Sequence, residues 1–557
     1  MRKVAISANG KLRVNVIAGT YVVLFGIDLS EADSKGIIGF AIHRVAHDNH
    51  DEGKWLAGQK VFATTKTTPG TPVRTRDFPV QGFLWQDFTA VPGKNYTYRI
   101  VALRYEGTAL EEDPKLDADV AIKTEAETGS KHSVWFNRGI AGSQAYAREF
   151  GNAKPDSVGD KAIRWLSRGL QEALIAFIGR AKDTTYQLRG AYYEFNYAPV
   201  LDAFEAAQNA CHDVKLIVDM REKSNGPKTS NGKAISTHKL GGIVIERTAT
   251  RSAIAHNKFL VLLKSGKPIA VFTGSTNLSA SGVLGHSNVG HMVADAGVAA
   301  KYLDYWNALA SDPTNEELKP IVEALSPITA SAVAPRTQCI FSPRASVAAL
   351  SGYRDLARAA SGPLFFTSAF GIGAEMEPVF ASPRTAPIYV LMDSKGNNAS
   401  TVARTDELLK VHSNQIAIGG GLPFDRDNGY AMWLSEVQRG VYTRNVGFVH
   451  DKFLLIDPLS LHPIVVTGSA NFSKASTVTN DENMLVIRDD LRVADIYLGE
   501  FIRLWRHYYF RDVLRRLGTT GAKKSYLLPD DTWRNPYFDP TSRKRFEREV
   551  FGKGVAV

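Results

Sequence analysis

The chain has 557 residues, of which 44% are hydrophobic and 22% charged, and its 67 Lys and Arg exceed its 57 Asp and Glu to give a formal charge of +10. This length predicts several domains, and this composition excludes a wholly disordered, collagen-like or coiled-coil chain. The charge suits an anionic partner such as nucleic acid, lipid headgroups or phosphate esters, although a need for solubility explains it equally well.

Cysteine content and hydropathy limit the cellular setting. Two cysteines are too few for a disulfide framework, and no run of about 20 apolar residues predicts a membrane-spanning helix. Asn9, Lys11 and Arg13 interrupt the first apolar positions, which argues against a signal peptide. We therefore expect a protein that is cytoplasmic or exported without a cleavable signal peptide.

Residues 10–125 alternate β-branched and aromatic positions with Gly, Pro, Asn and Asp turns, which is typical of sandwich strands. The segment from Val91 to Tyr96 contains Pro92 and Gly93 and precedes an alternating strand, and it is similar to the tyrosine corner of fibronectin type III domains. We expect residues 1–125 to form an accessory β-sandwich in which the Tyr96 hydroxyl bonds to nearby backbone.

From about residue 130, predicted strands alternate with predicted helices, which indicates α/β layers around a mostly parallel, mixed sheet. The pattern occurs twice. We place one lobe at 130–322, a second at 330–520, and at 521–557 a C-terminal tail that packs on the lobes.

Two short blocks recur 194 positions apart and give the repeat its register. His256-Asn257-Lys258-Phe259-Leu260 matches His450-Asp451-Lys452-Phe453-Leu454, and Gly274-Ser275-Thr276-Asn277 matches Gly468-Ser469-Ala470-Asn471. Two lobes that share one plan and are related by a pseudo-twofold axis would bring their equivalent loops together.

The repeated residue types suit phosphoryl transfer. An imidazole acts as a nucleophile or a general acid, and an ammonium two residues along a strand points to the same side. Lys258 and Lys452 would neutralise non-bridging phosphate oxygens, and Asn277 and Asn471 would add hydrogen bonds. One histidine would attack phosphorus while the other protonates the leaving alcohol and later activates water. This mechanism needs no metal and no cofactor.

The paired sets resemble the phospholipase D superfamily, whose His-x-Lys-x4-Asp signature is complete at His450, Lys452 and Asp457. The resemblance covers about 130–515 and implies an α/β fold of two pseudo-twofold-related lobes, each a mixed β-sheet flanked by helices, after the small all-β domain. It also implies an acid 32 residues after each motif histidine, and Glu482 occupies that place in lobe two.

Lobe one departs from the family pattern at two positions. Leu263 stands where lobe two has Asp457, and Asn288 stands where lobe two has Glu482. In the family the acid reaches the histidine of the other lobe, so Glu482 would support His256 as nucleophile and Asn288 would hold His450 as acid. If the pairing were within each lobe, the two roles would exchange.

The candidate site therefore divides into two groups. The predicted catalytic residues are His256, His450, Lys258, Lys452, Asn277, Asn471 and Glu482, and the predicted supporting residues are Asn288, Asp457, Ser275 and Ser469. We expect His286 and His291, which flank Asn288, to be ordinary core or surface histidines. Arg138 and Arg344 either contact phosphate or anchor the start of each lobe.

The first substrate hypothesis is a glycerophospholipid, cleaved to phosphatidic acid and the headgroup alcohol, with transfer to other alcohols. Apolar residues at 419–424 and 432–434 would dip into a lipid surface or pack against the sheet. The C-terminal run from Tyr526 to Phe538, which contains Trp533 and Tyr537, would cover the mouth of the site.

A nuclease acting on DNA or RNA is the second hypothesis, supported by the charge of +10. The third is a binding protein without catalysis, supported by Leu263 and Asn288. Because one chain carries both half-sites, we expect a monomer.

Overall fold

An all-β domain begins the chain. Its strands are β1 Arg2–Ile6, β2 Arg13–Ala18, β3 Val23–Asp28, β4 Gly39–His47, β5 His50–Trp55, β6 Ala57–Gly58, β7 Val73–Arg74, β8 Leu84–Asp87, β9 Asn95–Glu106 and β10 Ala109–Lys123. They form two four-stranded antiparallel sheets, of order β1-β2-β3-β8 and β10-β9-β4-β5, and a small β6-β7 ribbon. Alternating apolar residues of both sheets, such as Phe25 and Tyr98, form one core.

This computed structural model describes residues 1–48, 50–66, 71–139, 146, 149–150, 153, 155–222, 226–249, 253–328, 334–381, 384, 386–396, 398–412, 416–418, 449–523 and 526–556, with side chains omitted at 411–412 and 510–523. The apolar segments 419–424 and 432–434 lie outside the described residues.

The turn before β9 has the expected tie between side chain and backbone. The Tyr96 hydroxyl accepts a hydrogen bond from Val91 N at 2.9 Å, and the Tyr96 ring is buried. This contact gives Tyr96 a structural role. The likeness to fibronectin type III domains itself stays a prediction.

Lobe one contains a seven-stranded sheet of order β11-β17-β16-β15-β12-β13-β14. Its elements are β11 His132–Phe136, α1 Pro155–Val158, α2 Asp160–Ser167, α3 Leu170–Ile178, β12 Tyr186–Tyr192, α4 Ala198–Cys211, β13 Val214–Asp219, α5 Lys228–Thr237, β14 Val244–Arg247, β15 Lys258–Lys264, β16 Lys267–Gly274, β17 Val289–Val293, α6 Ala296–Ala310 and α7 Asn315–Leu325. A 3-10 turn at Gly241–Ile243 and a π-helical turn at Ser281–Gly285 complete it.

Lobe two repeats this sheet in the order β18-β24-β23-β22-β19-β20-β21. Its elements are β18 Thr337–Ser342, α8 Ala348–Ala359, β19 Leu364–Phe370, α9 Glu377–Ala381, β20 Ile388–Ser394, α10 Ala399–His412, β21 Ile416–Ile418, β22 Phe453–Ile456, β23 Ile464–Gly468, α11 Lys474–Val478, β24 Glu482–Arg488 and α12 Leu491–Lys523. The chain ends with a 3-10 helix at Asp531–Tyr537 and α13 Arg543–Gly552. The predicted fold class, two repeated α/β lobes after an all-β domain, is confirmed.

The sheets are mixed, but they are not mostly parallel. In lobe one only the pairings β12-β13 and β13-β14 are parallel among the described strands, and lobe two matches this with β19-β20 and β20-β21. The expectation of a mostly parallel sheet is wrong because β15 and β16 follow each other through a tight turn. So short a connection allows only antiparallel pairing.

The two lobes share one core. Helix α6 packs on the lobe-one sheet and on β18 of lobe two, and the Tyr305 and Phe341 rings stack with centroids 4.5 Å apart. From the other side, Tyr497 of α12 meets Phe136 of β11 at 5.0 Å. These two helices therefore hold the sheets in a fixed relation, which a site at the seam requires.

The C-terminal segment packs against the all-β domain and also reaches lobe two, where the Phe551 ring lies 6.3 Å from that of Phe365, so the predicted packing on the lobes describes only part of its contacts. The Trp533 and Tyr537 rings lie 5.5 Å and 5.1 Å from Phe83, and Trp533 Nε1 donates to Ile37 O at 2.9 Å. The prediction that Trp533 and Tyr537 cover the mouth of the site is wrong, because both rings fill the apolar end of the sandwich instead. In the described part of the chain, no helix is both long and apolar enough to serve as a membrane span.

A buried chain of hydrogen bonds crosses the lobe interface through two histidines. Tyr497 donates its hydroxyl proton to Thr467 and therefore accepts from His291 Nδ1 at 2.9 Å. His291 Nε2 then accepts from His132 Nδ1 at 2.9 Å, and His132 Nε2 accepts from Thr337 at 3.2 Å. Both rings are neutral in this arrangement.

We expect this chain of hydrogen bonds to make the protein sensitive to acid. Burial lowers the pKa of His132 to about 4 and that of His291 well below the usual range. Unfolded histidines take up a proton near pH 6.5, so the free energy of unfolding should fall as pH drops from about 6.5 towards 4, by up to about 3 kcal/mol for His132.

Urea denaturation of the wild type and of His132→Gln, at neutral pH and at about pH 4.5, checks this expectation. The variant should lose less stability on acidification than the wild type. Equal losses in both proteins would contradict a role for His132.

Candidate active site

The repeated His-x-Lys motifs lie at equivalent strand entries in the two sheets. Lys258 begins β15, and Lys452 immediately precedes β22. Each lysine Nζ donates to the carbonyl of the histidine two residues earlier, to His256 O and to His450 O, at 2.6 Å in both lobes. The repeat in the sequence is therefore also a repeat in side-chain geometry.

Each motif histidine is held by a residue of the other lobe. His256 Nδ1 lies 2.9 Å from Glu482 Oε2 and 3.0 Å from Oε1, at the start of β24. His450 Nδ1 lies 2.8 Å from Asn288 Oδ1, just before β17. The structure places the partners across the lobes, not within them. In both rings the inter-lobe contact is made through Nδ1 and does not involve Nε2.

The two predicted serines support these partners in the same way. Ser275 Oγ donates to Asn288 Oδ1 at 2.8 Å, and Ser469 Oγ donates to Glu482 Oε2 at 2.6 Å. The glycine before each serine has a positive φ, 140° at Gly274 and 157° at Gly468, and a Cβ there would overlap a carbonyl oxygen of the neighbouring strand. Glycine thus allows the close approach of strands that these contacts need.

The surroundings of the two partners explain why one is an amide and the other an acid. Asn288 Nδ2 donates to Gly282 O at 2.7 Å, so this position needs a donor. Glu482 Oε1 instead accepts from Asn480 Nδ2 at 3.2 Å. Lobe one offers a carbonyl where lobe two offers an amide, and a carboxylate at 288 would face that carbonyl.

Burial and crowding of cations disfavour the charged forms at the seam. Burial lowers the pKa of His256, against the opposing charge of Glu482, and lowers the pKa of Lys258 to about 8. Burial, with Lys452 and then His286 as lesser causes, holds the pKa of His450 well below its usual range. The pKa of Lys452 is also held low by burial and by Lys258. An anion bound here would restore these charges, so the site suits a phosphodiester.

Asn277 and Asn471 lie in the turns after β16 and β23. The Oδ1 atoms of both are buried and have no hydrogen-bond partner in the described part of the chain. Donation to a phosphate oxygen would use the Nδ2 atoms of these side chains, and this role of Asn277 and Asn471 stays a prediction.

Asp457 and Leu263, which stands at the equivalent position of lobe one, lie away from the imidazoles. Asp457 follows β22, at the end opposite His450, where burial raises its pKa beside Gly362. Leu263 is 5% exposed in the core and pairs with Gln187 of β12. An apolar side chain is therefore accommodated by packing, as expected.

Two site residues were missed or misjudged from the sequence. The His286 ring lies 5.2 Å from the His450 ring, close enough to make it a neighbour of the candidate site, whereas His291 is hydrogen-bonded in the core. The Tyr193 ring lies 5.3 Å from that of His256 and 5.6 Å from Lys258 Nζ. Tyr193 directly follows β12, whose last residue pairs with Lys258, and this neighbourhood is the feature that could have indicated its position near the site.

Arg138 and Arg344 anchor the starts of the lobes. Arg138 Nε donates to Trp165 O at 2.8 Å, and its guanidinium lies over the Trp165 ring. Arg344 donates to both the hydroxyl and the carbonyl of Ser326. No group of His, Cys, Asp or Glu placed to hold a metal occurs among the described side chains.

Comparison with known proteins gives partial matches, and the matching family model spans both motifs. A family model described as "Cardiolipin synthase, PLD-like domain" matches residues 174–310 and 384–505, somewhat less than half of the chain. The chain is 30% identical to the mitochondrial cardiolipin hydrolase of Xenopus tropicalis over 129 residues, which cover 23% of this chain and 52% of that protein. It is 26% identical to the human mitochondrial cardiolipin hydrolase over 133 residues, which cover 23% and 43%.

These matches cover about half or less of each relative's length. Among solved structures, the chain is similar to the phosphatidylserine synthase of Haemophilus influenzae Rd KW20, at 12% identity and a TM-score of 0.42, over 65% of this chain and 94% of that chain.

Substituting Asn288 by Asp tests the origin of the asymmetry between the lobes. We expect Asn288→Asp to destabilise the protein by about 1–3 kcal/mol at neutral pH, because the carboxylate faces the Gly282 carbonyl and cannot donate. The loss should shrink as pH falls and the carboxyl gains a proton. Urea denaturation measures both effects, and Asn277→Asp controls for an added charge near the same cations. Equal stability of Asn288→Asp and wild type at neutral pH would contradict the explanation.

Proposed function

We propose that this protein is a phosphodiesterase of the phospholipase D superfamily that hydrolyses a glycerophospholipid to phosphatidic acid and the headgroup alcohol. The observation that carries the proposal is the reciprocal contact of His256 with Glu482 and of His450 with Asn288, each beside a buried lysine. The matching family model and the cardiolipin hydrolases support the same reaction class.

In the first step His256 Nε2 attacks phosphorus. An N–P bond forms and the P–O bond to the headgroup breaks, while His450 gives its Nε2 proton to the departing alkoxide, which leaves as an alcohol. Lys258 and Lys452 neutralise the non-bridging oxygens, and the amides of Asn277 and Asn471 donate to them.

In the second step water replaces the imidazole. His450, now neutral, takes a proton from water as the oxygen attacks phosphorus, and the N–P bond to His256 breaks. The products are phosphatidic acid and a reprotonated His450, so the cycle closes. A second alcohol in place of water gives transfer instead of hydrolysis.

The assignment of His256 as nucleophile follows from charge. An N-phosphorylated imidazole is cationic, and the Glu482 carboxylate at its Nδ1 offsets that charge. Asn288 provides no charge to His450, whose imidazolium is thereby a stronger acid for a poor leaving group. The bound phosphodiester supplies the negative charge that keeps His450 protonated before it reacts.

Cardiolipin joins the simpler phospholipids as a candidate substrate, because the family model and the relatives both carry that name. Action on a lipid requires contact with a membrane surface. Both half-sites belong to one chain, so we propose that a monomer is active. The formal charge of +10 favours a second candidate substrate, the backbone of DNA or RNA.

A substrate panel separates these candidates. We expect purified protein to release choline, ethanolamine or phosphatidylglycerol from phosphatidylcholine, phosphatidylethanolamine or cardiolipin vesicles, with and without a chelator, and to leave plasmid DNA intact. Nicked plasmid with intact lipid would indicate a nuclease. Inertness toward all of these and toward bis-p-nitrophenyl phosphate would indicate a binding protein.

Leaving-group dependence separates the roles of the histidines. We expect His450→Asn to lose about 100- to 10,000-fold of its rate on phosphatidylcholine but far less on bis-p-nitrophenyl phosphate, because nitrophenolate leaves without a proton. His256→Asn should lose activity on both substrates. The reverse pattern would exchange the two roles.

A further inference from the structure

A buried ion pair joins the lobes beside His256. Arg247, the last residue of β14, and Asp481, just before β24, are 1% and 2% exposed. Arg247 Nε donates to Asp481 Oδ2 at 2.9 Å and Nη2 donates to Oδ1 at 3.4 Å. Arg247 Nη1 also donates to Asp312 Oδ1 at 2.8 Å. This two-pronged contact fixes the orientation of the Asp481 carboxylate.

The backbone of Asp481 belongs to a short inter-lobe ladder that ends at His256. Asp481 N donates to Ile254 O at 2.9 Å, and Asp481 O accepts from His256 N at 2.9 Å. The next residue, Glu482, holds the imidazole Nδ1. Arg247 therefore holds Asp481. The carbonyl oxygen of Asp481 bonds to the backbone of His256, and the next residue, Glu482, bonds to the His256 imidazole.

The equivalent position in lobe one is neutral. Ser287 stands where lobe two has Asp481, and its Oγ accepts from His450 N at 3.1 Å. A hydroxyl offers no charge for an arginine to hold. The ion pair therefore distinguishes the two histidines, as does the acid that follows it.

We propose that Arg247 is a positioning residue that acts through Asp481 to keep Glu482 on His256. The charged groups that act on His256 are Glu482, Lys258 and Lys452. Arg247, with Arg221 and Asp219, acts instead on Asp481. The consequence for turnover rests on the proposed function, whereas the consequence for the state of the His256 ring does not.

The test uses the full chain with isotope-labelled histidine and identifies the His256 signals by their loss in His256→Asn. In Arg247→Met we expect the NMR titration midpoint of His256 to move to lower pH, because the imidazolium loses its carboxylate. Loss of a cation without movement of Glu482 would raise it. Arg247→Lys keeps the charge but cannot donate both hydrogen bonds to the Asp481 carboxylate, so it should show a smaller shift in the same direction.

For bis-p-nitrophenyl phosphate, kcat should fall about 10- to 100-fold in Arg247→Met with little change in KM.

Arg168→Met is the matched control. Arg168 forms a buried inter-lobe ion pair with Glu500 of α12 at 2.8 Å, with both side chains at most 5% exposed. Its loss should destabilise the fold but leave the His256 titration unchanged.

A folded Arg247→Met with an unchanged or raised midpoint would overturn the proposal, and so would the same shift in Arg168→Met. If Arg247→Met does not fold, the titration midpoint of His256 in Arg247→Lys and in Asp481→Asn tests the proposal instead. If the wild type cleaves no diester, the proposed function fails while the spectra still decide the role of Arg247.

Discussion

The site depends on one constraint, that each imidazole takes its Nδ1 partner from the opposite half of the chain. His256 needs Glu482 and His450 needs Asn288, at 2.9 Å and 2.8 Å. Contacts this short require the two lobes to keep one relative position. The shared core of α6 and α12, the close strands at Gly274 and Gly468 and the inter-lobe ladder all preserve that alignment.

The two lobes share one fold but differ in the residues that contact the motif histidine of the other lobe. Lobe two contributes two acids, Asp481 and Glu482, and lobe one contributes two neutral residues, Ser287 and Asn288. The difference extends to the next layer, where a carbonyl supports the amide and an amide supports the acid. Substituting the acid would therefore not make the halves equal, because the surroundings are also adapted.

Much of this arrangement was predictable from the sequence because it repeats. Two gapless blocks fixed the register of β15, β16, β22 and β23. Glu482 and Asn288 came instead from the resemblance to the phospholipase D superfamily, which implies an acid 32 residues after each motif histidine. The direction of the sheet pairings was not predictable from periodicity, which does not report connection length. The sequence did not single out Tyr193 or Arg247, and it predicted an ordinary histidine at 286, because the contacts of these residues are distant in sequence and no local pattern marks them.

Because each motif histidine contacts a residue of the other lobe, the two lobes cannot be separated without loss of both contacts. A half taken alone holds an imidazole whose orienting group is on the missing half, so neither fragment is a smaller version of the whole. Two copies of lobe one would offer only amides, and two copies of lobe two only acids. The unlike pair in one chain guarantees a mixed set in every molecule, which self-association of identical subunits cannot provide.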